Sequence, residues 1–145
     1  MSKTRILLVD DNPDFLETLA RFLVDDPSLE VVGRAFSGRD AIEYVARLHS
    51  DIVLMDIGMP GVDGLEATWQ IKLSPIAPVV ILMMHHDWEG YRAHTLAVGA
   101  DWFLPKPEIG TQLLPLLHGL SSPPLRESEG GAPPIPQCRW TAGNG

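Results

Sequence analysis

Apolar residues are concentrated in short runs that alternate with longer amphipathic stretches. Ile6–Val9, Ile52–Met55 and Val79–Met84 are almost wholly apolar, as expected for parallel strands buried on both faces. Glu30–Ala35 and Trp102–Leu104 add two shorter strand candidates. Between them the period changes from two to 3.6. Phe15, Leu16, Leu19, Phe22 and Leu23 form one stripe of a helix that starts at Asn12-Pro13 and runs to about Asp25, with Pro27 beyond it. Ser37-Gly38 opens a second helix carrying Ala41, Ile42, Val45, Ala46 and Leu48 on one side, with Arg47 and His49 suiting its negative end. A third helix spans about Gly64 to Leu73, with Leu65, Ala67, Thr68 and Ile71 inward, and a fourth spans Trp88 to Val98, closed by Gly99. The last spans Glu108 to Leu120, where Pro115 is expected to kink it or limit its regular part.

Strands alternating with helices predict an α/β domain with a parallel sheet and right-handed crossovers. The expected architecture is a flavodoxin-like (βα)5 three-layer sandwich, with strand order 2-1-3-4-5. A single domain over 1–120 is expected, followed by a Pro/Gly-rich disordered tail over 121–145. At 145 residues the chain has room for one well-filled core.

Charge and cysteine content narrow the function. Nineteen acidic residues against eleven basic ones give a net charge of −8, which disfavours nucleic acid and anionic membrane as partners. The single cysteine, Cys138, excludes an internal disulfide. The amino terminus runs directly into a strand pattern, and no apolar run reaches the roughly 20 residues of a membrane span, so a cytoplasmic location is expected.

The candidate chemistry lies where strands end. In the expected order, strands one and three are neighbours, so Asp10 and Asp11 meet Asp56 beside the topological switch point. Clustered carboxylates repel, and a hard divalent cation such as Mg²⁺ relieves the repulsion through oxygen ligands. Lys106, ending strand five, brings an ammonium to the same edge. Three acids, a cation and an ammonium can receive a phosphoryl group and neutralise its charge. Gly58, Pro60, Gly61 and Gly64 shape the turn after Asp56. His85 and His86 form a weak transition-metal motif, having no companion nitrogen or sulfur ligands.

The blocks LLVDDN, LMDIGMPGVDGLE and GADWFLPKP together make residues 4 to 120 resemble the receiver domain of two-component response regulators, including those of LuxR type. The resemblance implies that Asp56 is the phosphoacceptor for a sensor histidine kinase or phosphotransfer protein. It implies Mg²⁺ on Asp11, Asp56 and the Gly58 carbonyl, with Asp10 acting through water, Lys106 on the phosphoryl oxygens, and a cis Lys106-Pro107 bond. His86 resembles a position that tunes dephosphorylation. Trp88, Tyr91 and Trp102 fall on the face such domains use for partners or homodimers. One departure stands out. Counting back from Lys106 places Met84 where the family has Ser or Thr, and Met83 or His85 in adjacent registers supplies no hydroxyl either. Phe103 then occupies the aromatic switch position without its usual lever. A pseudo-receiver scaffold is therefore the alternative reading. An aspartyl phosphohydrolase ranks last, because Gly58 stands where such an enzyme needs its second acid.

Overall fold

The computed structural model describes residues 3–59, 63–84 and 92–120. The histidine pair His85 and His86, the aromatics Trp88 and Tyr91, the turn residues Pro60 and Gly61, and the tail with Cys138 lie outside them. The strands are β1 (Thr4–Val9), β2 (Leu29–Ala35), β3 (Ile52–Asp56), β4 (Val79–Met84) and β5 (Trp102–Pro105). Between and after them run α1 (Pro13–Val24), α2 (Gly38–Leu48), α3 (Gly64–Ile71), α4 (Arg92–Ala97) and α5 (Ile109–Leu120). The sheet is parallel with order β2-β1-β3-β4-β5, as the sequence predicts.

Alternation along each strand feeds two cores. Ile6 and Leu8 of β1, Ile52 and Leu54 of β3, and Ile81 and Met83 of β4 pack with Leu16, Leu19 and Leu23 of α1 and Leu113 and Leu117 of α5. Leu7, Val9, Val53, Met55, Val80, Leu82 and Met84 face the other way, onto Ala41, Ala67 and Ile71. Both faces are covered, which is why these strands read as unbroken apolar runs. Each fully buried leucine or isoleucine contributes about 2 kcal/mol. The outer strand β2 carries an extra residue at Val32, since Ile6 pairs with Val31 and Leu7 with Gly33. A Cβ on Gly33 would lie 2.9 Å from Leu48 Cδ1, so α2 packs against backbone there.

Several boundaries differ from expectation. Strand β2 begins at Leu29, whose side chain is buried under the core. Helix α3 stops at Ile71, before the exposed Leu73, because Lys72 already caps it. The Ala46 side chain is exposed, leaving Ala41 as the buried residue of the α2 stripe, with Ile42, Val45 and Leu48 half-buried. The described part of α4 starts at Arg92, and Gly99 turns the chain beyond it with φ +89°. Helix α5 continues through Pro115, which lies on the exposed face, where water can meet the carbonyl of Thr111 that the missing N–H leaves free. The C-terminus of α2 ends on His49 in the left-handed region, φ 53°, and its carbonyls at Leu48 and His49 accept from the Arg5 guanidinium at 2.9 and 3.4 Å. That cation comes from β1, in addition to Arg47, which pairs with Glu43.

The cis Lys106-Pro107 bond is not present; no cis peptide occurs among the described residues. Lys106–Glu108 instead form a single 3-10 turn leading into α5, and a trans proline with φ fixed near the helical value fits its first turn.

The turn after α1 is locked to α5. Asp26 accepts from Ser28 N at 2.9 Å and Ser28 Oγ at 2.6 Å, and its second oxygen lies 2.5 Å from His118 Nε2. The Ser28 hydroxyl, then His118, hold the Asp26 carboxyl down at about 2, from 3.8. A depressed carboxyl stabilises the fold above its unfolded value, and that stability is lost as pH falls through the folded value. Asp26→Asn should therefore lower the urea midpoint at neutral pH, with the gap to the natural protein closing between 3.8 and about 2. A gap that stays constant with pH would show that the carboxylate charge contributes nothing.

Candidate functional site

The carboxyl ends of β1, β3 and β5 converge at one edge of the sheet. Asp10 is the first residue past β1, and its N–H donates to Ala35 O at 3.1 Å, extending the β1–β2 ladder by one bond. Its Oδ1 accepts from Asn12 N at 2.9 Å, which folds the chain over the strand end before α1 begins. Asn12 then caps α1, its side-chain oxygen accepting from Asp14 N and Phe15 N at 3.0 and 3.2 Å. Asp56 is the last residue of β3, with its neighbour Ile57 donating from N to Met83 O at 3.0 Å. Asp10 and Asp56 are 1% and 6% exposed, whereas Asp11 faces solvent.

One carboxylate oxygen from each of Asp10, Asp11 and Asp56 lies within 4.8 Å of the others. Lys106 enters from the end of β5. Its Nζ lies 2.7 Å from Asp10 Oδ2 and 3.3 Å from Asp56 Oδ1. The Asp56 carboxyl is pushed above its usual 3.8, first by burial and then by the Asp10 charge, with the Lys106 ammonium pulling it back. Three acids against one ammonium leave an excess of negative charge in a partly dry place. An all-oxygen donor set with one exposed member fits a hard divalent cation that keeps part of its water shell.

The loop after Asp56 is held close to the strand. Gly64 N donates to Ile57 O at 3.1 Å, and Asp63 caps α3 by accepting from Glu66 N at 2.9 Å. Gly58 is exposed, with open space where a Cβ would stand.

Residues 6–118 match the family model described as the response regulator receiver domain. The chain belongs to this receiver family. It is 40% identical over 106 residues to the transcriptional regulatory protein DegU of Brevibacillus brevis, covering 72% of this chain and 44% of that protein. It is 39% identical over 106 residues to a protein-glutamate methylesterase/protein-glutamine glutaminase of Geobacter metallireducens, covering 72% of this chain and 30% of that protein. The chain thus spans less than half the length of these curated relatives, and the methylesterase activity named for one of them is not carried over to it. Among solved structures, the signal receiver domain of NarL from Mycobacterium tuberculosis superposes with TM-score 0.73 at 32% identity, covering 82% of this chain and 99% of that one. The response regulator domain of Thermotoga maritima CheB gives TM-score 0.71 at 29% identity, covering 81% and 93%.

Within this receiver, Asp10, Asp11, Asp56 and Lys106 come together as the sequence predicts. Met84 ends β4 opposite Pro105, immediately before Lys106, and is 4% exposed. Met83 pairs with Asp56 and is fully buried. Phe103 pairs with Leu82, half-buried against the α2/α3 core. Trp102, expected on a partner face, packs half-buried against the α1/α5 core because its position on β5 points to that layer. No helix among the described residues is long and apolar enough to cross a membrane.

Sequence reasoning missed two contributors. Phe15 places its ring beneath Lys106, with 4.2 Å between Nζ and the ring centroid. Its signal was an aromatic in the first helical turn beyond the acid pair. Gly64, read as a turn residue and as the start of the third helix, lies against the Asp56 backbone itself.

Proposed function

We propose that this receiver takes a phosphoryl group onto Asp56 from a sensor histidine kinase or phosphotransfer protein, in a Mg²⁺-dependent reaction. The observation that carries the reading is the Lys106 ammonium set between Asp10 and Asp56 in a three-carboxylate cluster. An Asp56 carboxylate oxygen attacks phosphorus; the new O–P bond forms as the bond to the donor imidazole nitrogen, or to an acyl oxygen, breaks. The leaving group departs with the bonding pair. Lys106, already 3.3 Å from Asp56 Oδ1, meets the negative charge that arrives with the phosphoryl oxygens. Asp10 keeps that ammonium in place through its shorter contact. Asp11, Asp56 and the Gly58 carbonyl would hold Mg²⁺, with Asp10 acting through water. When bound, Mg²⁺ supplies the positive charge that the cluster lacks and that phosphoryl transfer requires.

This assembly favours a phosphoacceptor over the scaffold reading, since a scaffold has no use for buried acids around a lysine. Met84 stands where the family has a hydroxyl and packs into the α2/α3 core, so the domain signals with a weaker hydrogen-bonded link between acceptor and surface. The receiver domain occupies 1–120, and it works in the cytoplasm.

Intact mass after incubation with acetyl phosphate and Mg²⁺ tests the reading. One base-labile phosphoryl group is expected on the natural protein and none on Asp56→Asn or in the presence of a chelator. Equal uptake by the Asn variant would move the acceptor elsewhere, and no uptake by folded natural protein would overturn the reading.

A further inference from the structure

Among the described residues, three groups meet the Lys106 ammonium, and one of them carries no charge. Besides Asp10 Oδ2 at 2.7 Å and Asp56 Oδ1 at 3.3 Å, its Nζ sits over the Phe15 ring, 4.2 Å from the centroid. That lies well inside the range at which an ammonium is drawn to the negative face of an aromatic ring. The lysine side chain is only 11% exposed, so water competes little for it.

These contacts close a circuit. Asp10 Oδ1 accepts from Asn12 N, the Asn12 side chain accepts from Phe15 N, the Phe15 ring faces Lys106 Nζ, and Lys106 returns to Asp10 Oδ2. The ring is itself anchored, because Phe15 packs half-buried against the α1/α5 core. Of the two carboxylates, Asp56 makes the longer contact and is the one that changes when the site reacts. Asp10 and Phe15 stay.

We propose that Phe15 is a positioning residue for phosphoryl transfer: its ring face and the Asp10 carboxylate form a socket that keeps the Lys106 ammonium aimed at Asp56. The inference deepens the phosphoacceptor reading and rests on it. A ring attracts a cation without offering it a proton acceptor, so it restrains the ammonium while leaving its N–H bonds for the acids and the incoming phosphoryl oxygens. A purely aliphatic wall would exclude water but exert no pull.

The test replaces Phe15 with phenylalanines bearing one, two and three ring fluorines, and with leucine, in the full chain. Fluorine keeps the ring's shape while draining its negative face. It also makes the ring more apolar, so a role in core packing predicts the opposite trend from a role in holding the cation. Initial rates of phosphoryl uptake from acetyl phosphate with Mg²⁺ should fall stepwise with each fluorine, and Phe15→Leu should be slower by about fivefold. In the unmodified natural protein the Lys106 ε-methylene protons should be shielded by the ring, and Phe15→Leu should return them to ordinary values. Rates that do not change across the series, or ε-methylene protons that are unshielded in the natural protein, overturn the inference. Absence of any uptake by the natural protein overturns the phosphoacceptor reading and this one with it. That outcome is distinct from equal uptake across the series, which removes only the role of Phe15.

Discussion

Replacing Gly64 with alanine should destabilise the domain by about 3 kcal/mol or more, as overpacking against an unyielding partner does. An added Cβ would stand 2.1 Å from the Asp56 carbonyl oxygen and 2.9 Å from both Asp56 C and Ile57 Cα. Backbone cannot rotate out of the way as a side chain can. Either α3 moves off the sheet, breaking the Gly64 N to Ile57 O bond, or the end of β3 moves with Asp56 on it. Gly58→Ala is the natural contrast, because nothing lies within 4 Å of its added Cβ. It should change stability by no more than about 0.5 kcal/mol. Urea unfolding of the two variants beside the natural protein decides the matter, and equal midpoints for all three would mean that the close approach of α3 to Asp56 is not required.

Asp56→Asn should make the unloaded domain more stable at neutral pH while removing its acceptor. Burial and the Asp10 charge raise the Asp56 carboxyl above 3.8, so holding it ionised in the folded state works against folding. The sign follows from proton binding. Between 3.8 and the raised folded value the native state binds the proton more tightly than the unfolded chain, so stability falls as pH rises through that window and then levels off. Asparagine removes this dependence yet still offers an oxygen to Lys106. Mg²⁺ should raise the melting temperature of the natural protein and have much less effect on the variant. Thermal melts at several pH values, with and without Mg²⁺, test both statements. A variant less stable than the natural protein at neutral pH would show that the Lys106 contact outweighs the burial of charge.

Much of this arrangement was legible in the amino-acid order. The unbroken apolar runs of β1, β3 and β4 reflect burial on both faces, and the acids that stop β1 and β3 mark the edge where the cores give way to water. Strand order then brought Asp10 to Asp56 without further information. Details that depend on neighbours from other elements were not legible. Val32 reads as a strand residue and is the extra one of a bulge, which shows only through its pairing with β1. Ala46 fits the helical stripe by spacing, yet its side chain is exposed. Pro115 is tolerated because its face is exposed, a property of where α5 lands and not of the residue itself. At Pro107 a helical turn stands in place of the expected cis bond, and Lys106 reaches the acids from a trans backbone.

The contact between Lys106 and Asp10 joins residues 96 positions apart. During synthesis, α1 and the first two strands leave the ribosome with their acids long before the lysine is made. The carboxylates at the ends of β1 and β3 can gather as soon as those strands pair, but they do so without their ammonium until β5 has docked beside β4. Contacts this distant form late, because the chain must first close a long loop. A nascent chain that stops short of β5 therefore has the acids of a receiver and not its chemistry, and the last strand to arrive completes both the sheet and the site.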